Sequence, residues 1–388
     1  MTKAALRDFF DPNLPLRSFF APGRINLIGE HLDYNGGRVF PGAISLGITG
    51  TVQERRDRFL VFRSAEEPGE VRVHTDETIR FDPARGWANY PLGAMHYLRQ
   101  GGHDVRTGMS ILYSSTLPRG SGLSSSAAME LLTAFILARP GDDERIAMAL
   151  LMQKMENEFI GVHCGIMDQF AIAMGRRGHA MLLDTDTLGY ECVPVSLPGH
   201  TLVVIDSNRP RALTNSKYNQ RRDECAAALE AIRGTDPSVT NLAAASPALV
   251  ETIRDPVLKR RARHVVTENA RVLDAARALR AGDLPRFGAL LSESHRSLRD
   301  DYEVTGLELD TIAAASLEAP GCAGARMTGA GFGGCALALV EIDALEAFKK
   351  FVAKKYRART NRPIGFHETD MADGVRELAD GEKPGTQA

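Results

Sequence analysis

The chain has 388 residues, 44% hydrophobic and 25% charged, with a formal net charge of −2. That length suggests two domains, and the composition is globular, which excludes disordered, collagenous and coiled-coil classes. The even charge balance supplies no overall drive toward nucleic acid or an anionic membrane, while permitting a local basic pocket for a phosphate-bearing ligand.

The segment from Met1 to Phe10 lacks the apolar core of a signal peptide, and no apolar run approaches the roughly 18–20 residues of a membrane span. The cysteines, Cys164, Cys192, Cys225, Cys322 and Cys335, are spread out and form no C-x-x-C pair, so neither a zinc site nor a disulfide framework is indicated. A reduced, cytoplasmic protein is expected.

Strands are predicted over 38–40, 44–52, 59–62 and 108–113. From Ser124 the pattern becomes helical, with Ala127, Ala128, Leu131, Leu132, Phe135 and Ile136 on one face and Pro140-Gly141 as the stop. A second helix is predicted over 143–160, closed by Gly161, and a third from Met167. A buried strand over 201–206 precedes long helices over 217–232, 256–279 and 284–298. A glycine-rich segment, a strand over 335–340 and a helix near 344–356 follow, and the polar stretch from Asp380 is expected to fray. The turn-like run Asp184-Thr-Asp-Thr-Leu-Gly189 marks a seam near 185–200. The class is therefore α+β in two domains, 1–190 and 191–388, with the cleft between them as the default site.

Four segments carry chemistry. In Leu117-Pro-Arg-Gly-Ser-Gly-Leu-Ser-Ser-Ser-Ala-Ala128, two glycines let the backbone approach a ligand and three serines open a helix. A helix N-terminus with free N–H groups binds anions, usually phosphate, and a serine hydroxyl there can ligate Mg²⁺. The bland alternative is a Gly/Ser turn with a serine cap. It is not a Walker A loop, because no Gly-Lys pair occurs in the chain. Gly329, Gly331 and Gly334 fit G-x-G-x-x-G, but they precede a strand, the wrong order for a dinucleotide fold. They read as a tight turn or as a second wall of a phosphate site.

The third segment places Arg24, Glu30, His31 and Asp33 within ten residues. Such a cluster suits a polyhydroxylated ligand, a metal, or a solvated surface loop. In the fourth, Glu156 ends one helix and Asp168 begins the next, after Gly161 and Gly165 turn the chain. These carboxylates can face a cleft, or serve as a solvated helix face and a helix-entry acid. His96, His264 and His295 read as surface or core histidines, Lys259, Arg260, Arg261 and Arg263 as a solvated helix face, and Trp87 and Tyr90 as packing residues.

Together these segments resemble the GHMP kinase superfamily and, within it, the galactokinase family. The resemblance lies in Gly23-Arg-Ile-Asn-Leu-Ile-Gly-Glu-His-Leu-Asp-Tyr-Asn-Gly36, the serine loop, Gly165-Ile-Met-Asp-Gln169, the segment 211–222 and Met327-Thr-Gly-Ala-Gly-Phe-Gly-Gly334, in family order. It implies a two-domain fold with an interdomain active site. It also implies transfer of the γ-phosphoryl group of ATP to the 1-hydroxyl of α-D-galactose, as in the Leloir pathway. By resemblance, Asp168 is the proton acceptor and Arg24 stabilises the transition state. Glu30, His31, Asp33, Gly165 and Tyr218 bind sugar. Gly120, Ser121, Gly122, Leu123, Ser124, Ser125 and Ser126 form the phosphate loop, and Ser126 and Glu156 hold Mg²⁺. No nucleic-acid or membrane partner is expected, and a monomer is. The alternatives are a kinase for N-acetylgalactosamine, arabinose or another substrate, and a non-catalytic galactose sensor. The intact serine loop, Arg24 and Asp168 argue against the sensor. Leu32 departs from the pattern, standing where galactokinases commonly have Thr. The change is neutral if only backbone touches sugar there and alters sugar choice if the hydroxyl does.

Overall fold

The computed structural model describes residues 9–209 and 214–382, the side chains of 214–216 excepted. The beginning of the N-terminal decapeptide, residues 210–213 and the final residues 383–388 lie outside the described residues, and so does part of the segment 211–222.

The first half is built on a six-stranded sheet. Its strands are β1 (Arg17–Asn26), β3 (Pro41–Glu54), β4 (Phe59–Ser64), β5 (Glu70–His74), β6 (Met109–Ser115) and β13 (Arg376–Glu377), in the order β13-β1-β3-β6-β4-β5. Only β4 and β6 pair in parallel within it. Helices α1 (Asn89–Gln100), α2 (Ser125–Ala138), α3 (Arg145–Met155) and α4 (Met167–Met174) cover one face. α2 is apolar nearly all round and buried nearly all round, as its composition requires. Each of its buried leucines contributes about 1.5–3 kcal/mol.

β1 is the element the sequence hides. Pro22-Gly23 interrupts the expected alternation, and the pairing of β1 with β3 shifts register between Pro22 and Arg24. The strand nevertheless runs ten residues and delivers Arg24 and Asn26 into the interior.

A second sheet joins β9 (His200–Asp206), β10 (Cys322–Thr328), β11 (Cys335–Glu341) and β12 (Gly365–Thr369), in the order β10-β11-β9-β12. The helices of this half are α5 (Thr214–Arg233), α6 (Pro247–Glu251), α7 (Pro256–Ala281), α8 (Leu284–Ser297), α9 (Gly306–Glu318) and α10 (Leu345–Thr360). α8 and α9 pack on β10.

A small third sheet, β2 (Arg38–Val39), β7 (His179–Asp184) and β8 (Tyr190–Pro194), touches α7 and so ties the halves together. The turn-like run at Asp184–Gly189 is the hairpin between β7 and β8, closed by Asp184 N–H to Gly189 O at 2.9 Å. The passage to the second sheet falls at 195–199, and β13 carries the chain back to β1. The helix predicted over 143–160 is α3 followed by a wide turn, in which Gly161 N–H bonds Glu156 O at 3.0 Å. Such i→i+5 turns frequently accompany functional sites. Among the described residues, no helix is long and apolar enough to cross a membrane, and Cys164, Cys192, Cys225 and Cys322 are free thiols.

Candidate active site

Arg24 reaches from β1 to the start of α4. Its Nε donates to Asp168 Oδ1 at 2.7 Å and its Nη2 to Oδ2 at 2.9 Å. Nη1 donates to the Gly122 carbonyl at 2.7 Å, so one guanidinium joins the aspartate to the serine loop. The Arg24 side chain is 5% exposed and that of Asp168 26%, which leaves the carboxylate open on one side. The Arg24 N–H also bonds the Leu123 carbonyl, at 3.2 Å. A Cβ at Gly23 would come within 2.7 Å of that carbonyl oxygen, so glycine is what permits the approach.

Ser124 holds a left-handed conformation, φ 63°, which costs a non-glycine residue energy and tends to occur at functional sites. Its hydroxyl donates to Asp168 Oδ2 and does not cap α2. The first-turn N–H groups of α2 are thereby left to a ligand.

These groups line a cavity of about 300 Å³, to which Tyr218, Gly329 and Ala330 of the second half also contribute. It brings together Arg24, Glu30, His31, Asp33, Gly120, Gly122, Ser124, Ser125, Ser126, Glu156, Gly165, Asp168 and Tyr218. Ser121 and Leu123, also expected in the phosphate loop, do not line it. Their side chains are buried, and the backbone of Leu123 is engaged by Arg24.

Glu30 and His31 are buried and Asp33 is half-buried, so the surface-loop alternative does not hold. Glu30 is 1% exposed. It accepts from the Asn26 amide and from Gly329 N–H at 2.6 Å, and lies 3.4 Å from Arg326 Nη2. Burial pushes its carboxyl up, against the pull of Arg326 and Arg24. Asp33 sits over Gly165, where a Cβ would overlap its carboxylate. Burial and the charges of Asp168 and Glu30 push Asp33 up to about 7. His31, at φ 65°, places Nδ1 2.8 Å from the Tyr34 hydroxyl, and burial and His264 push the ring down to about 3, so it is neutral. Tyr218 packs on both His31 and Tyr34, with ring centroids 5.7 and 5.4 Å apart.

Glu156 is buried, not a solvated helix face. Gln169 Nε2 donates to its Oε2 at 2.6 Å, and the Ser126 hydroxyl bonds the same carboxylate. Burial and Asp168 push Glu156 up to about 7. Gln169 also donates to Glu130 Oε2 at 3.3 Å. Glu130 is fully buried on α2, and burial beside Glu156 pushes it well above the usual carboxylate range.

Sequence reasoning missed Glu130, Cys164, Gln169 and Arg326, and misread Tyr90, which lines the cavity. A carboxylate inside the apolar run of α2 was a usable signal for Glu130. Arg261 is likewise no solvated residue: it is 2% exposed and bonds Glu224 and Glu303, both at 2.6 Å. His264 is a core histidine bonded to Ser297 and to the Glu30 carbonyl. Leu32 is fully buried and does not line the cavity.

Three family models match the chain. The galactokinase galactose-binding signature matches residues 5–54, the GHMP kinases N terminal domain 89–176 and the GHMP kinases C terminal domain 275–358. Galactokinase of Exiguobacterium sibiricum is 46% identical over 387 residues, covering 97% of this chain and 99% of its own. That of Streptococcus thermophilus is 46% identical over 369 residues, covering 93% and 95%. The crystal structure of Lactococcus lactis galactokinase complexed with galactose matches with a TM-score of 0.92 at 42% identity, covering 97% of this chain and 98% of that one. Mevalonate kinase of Methanococcus jannaschii, at 20% identity and a TM-score of 0.65, shares the fold. By whole-length identity and by the galactokinase signature over residues 5–54, this chain belongs to the galactokinase family of the GHMP kinases.

Proposed function

We propose that this chain transfers the γ-phosphoryl group of ATP to the 1-hydroxyl of α-D-galactose, giving galactose 1-phosphate and ADP. The observation that carries the reading is the Arg24–Asp168 pair, set in one cavity between the uncapped start of α2 and the sugar loop. The names of the relatives and the galactose in the Lactococcus lactis structure support the same substrate.

Phosphoryl transfer needs positioning and charge neutralisation more than covalent help. The N–H groups opening α2 bind the triphosphate. Glu30, His31, Asp33 and Tyr218 orient the sugar. The anomeric hydroxyl, the most acidic on a sugar, passes its proton to Asp168. Arg24 holds Asp168 in place and offsets charge developing on the transferring group.

Ser126 and Glu156 fit a magnesium ion. Both are hard oxygen donors and they bond one another. Mg²⁺ takes few protein ligands and completes its shell with phosphate and water. When bound, it neutralises charge on the phosphate oxygens.

The test is ADP release from Mg²⁺-ATP with galactose, glucose, talose, arabinose, N-acetylgalactosamine and mevalonate, with the product identified by phosphorus NMR. Preference for galactose with a 1-phosphate product is expected. Preference for another substrate would reassign the sugar loop, and binding without turnover would make the protein a sensor.

A further inference from the structure

The backbone of the sugar loop is held from the second half of the chain, by three side chains of α7. His264 Nε2 lies 3.1 Å from the Glu30 carbonyl oxygen. Gly29 N–H donates to Glu268 Oε1 at 3.0 Å, and Arg38 N–H donates to Asn269 Oδ1 at 2.9 Å. The backbone partner fixes the direction of each bond. A carbonyl only accepts and an amide N–H only donates, so His264 carries a proton on Nε2 whatever the state of Nδ1. His264 and Glu268 stand about one helical turn apart, and both are fully buried. α8 secures them: Ser297 Oγ lies 2.9 Å from His264 Nδ1, and the Ser294 hydroxyl donates to Glu268 Oε1 at 2.5 Å. Arg271 Nε donates to Glu268 Oε2 at 2.7 Å, so every polar atom of the two side chains has a partner.

The bonds from His264 and Glu268 bracket Glu30. Gly29 before it has φ 102° and His31 after it φ 65°, both left-handed. For His31 that conformation is costly and persists only where the surroundings over-determine it. Here the carbonyl entering His31 is held by His264, and the carbonyl leaving it accepts from Asn35 Nδ2 at 2.7 Å. Consecutive side chains of an extended segment point to opposite sides. In this turn Glu30 and His31 both reach the same cavity.

We infer that His264 and Glu268 are positioning residues for the sugar, holding Gly29 to His31 in the left-handed turn that presents Glu30 and His31 together. The inference rests on the reading of the cavity as a galactose site. Neither residue lines that cavity, so both act through the loop and touch no substrate. Without His264 the Glu30 carbonyl would be left without its side-chain donor, and the turn would lose one of the two restraints on His31.

Calorimetry of galactose and of ATP binding to the full chain tests this with two amide variants. A glutamine amide ends near where the imidazole Nε2 does, and an asparagine amide near where Nδ1 does. His264→Asn should lose the bond to Glu30 and weaken galactose binding roughly tenfold, with ATP affinity unmoved. His264→Gln should bind galactose nearly as the wild type does. Glu268→Gln keeps the shape but sets an amide against the donors of Gly29, Ser294 and Arg271, and should weaken galactose in the same direction. It carries the test if His264→Asn does not fold. Equal galactose affinity in His264→Asn and His264→Gln, or an unchanged affinity in Glu268→Gln, overturns the inference. So does a parallel fall in ATP affinity, or a lowered melting temperature with both affinities intact. A wild type that binds another sugar in place of galactose, with that affinity split the same way between the two amides, would uphold the positioning role and overturn the substrate.

Discussion

Arg24 grips Asp168 with both arms of its guanidinium, Nε to Oδ1 and Nη2 to Oδ2, across 144 residues of sequence. Its third nitrogen holds the Gly122 carbonyl. Lysine keeps the charge but cannot reproduce a planar fork with three bonds. Arg24→Lys should lower kcat by about 10²–10³-fold, the scale of losing one transition-state donor. Near-normal steady-state turnover would remove Arg24 from the chemistry.

The other half of the pair predicts a different split. Asp168 is partly open to the cavity, whereas Glu30, His31 and Asp33, which line it too, lie on a separate loop. Asp168→Asn should cost about 10²–10⁴-fold in turnover, the range for a lost general base. Galactose affinity by calorimetry should be largely retained. If binding falls in step with turnover, Asp168 acts chiefly as a substrate clamp.

Gly165 owes its place to Asp33, whose carboxylate occupies the space a Cβ would take. Gly165→Ala should displace Asp33 and raise the KM for galactose by about 10- to 100-fold, equivalent to about 1.4–2.8 kcal/mol. The KM for ATP should stay as it is. The double variant with Asp33→Ala should bind galactose no worse than Asp33→Ala alone, because the clash then has no partner. Additive losses would place the effect elsewhere.

Asp33 also makes the ligand-free protein sensitive to pH. Its carboxyl stands at about 7, above its ordinary 3.8, through burial and the charges of Asp168 and Glu30. The folded state therefore holds this proton more tightly than the unfolded state. The resulting stability is full below the ordinary value and is lost as pH rises through about 7. Glu156 contributes with the same sign. Asp33→Asn should flatten the fall in melting temperature between pH 5 and pH 8. A variant curve parallel to the wild type would mean that Asp33 is not under this strain.

These relationships differ in how far they can be read from the chain. The strand at 200–206 and the helices from Pro256 and Leu284 are legible because apolar spacing, caps and breakers agree locally. β1 is not, because its bulge at Pro22-Gly23 is held by pairing with the distant β3 before and after it. The site residues are legible through family resemblance, since no spacing rule links Arg24 to Asp168. Buried polar partners are the hardest. Arg261 looks solvated until Glu224 and Glu303 arrive from elsewhere in the chain. Arg326, fully buried, reaches the Asn26 and Leu27 carbonyls and Glu30 across about 300 residues. Such pairs are created by the tertiary fold and leave no local pattern.

Leu32, the departure from the family pattern, resolves into a packing question. Its carbonyl accepts from Asn35 and Gly37, which shapes the loop, while its side chain is fully buried against Gly37, outside the cavity lining. Restoring the common residue should therefore leave sugar choice alone. Leu32→Thr removes buried apolar volume and places a hydroxyl among apolar neighbours, at a cost of about 1–3 kcal/mol. Denaturant unfolding should show that loss, while the ratio of kcat/KM for galactose to that for N-acetylgalactosamine stays constant. A changed ratio at unchanged stability would mean that this position addresses the sugar after all.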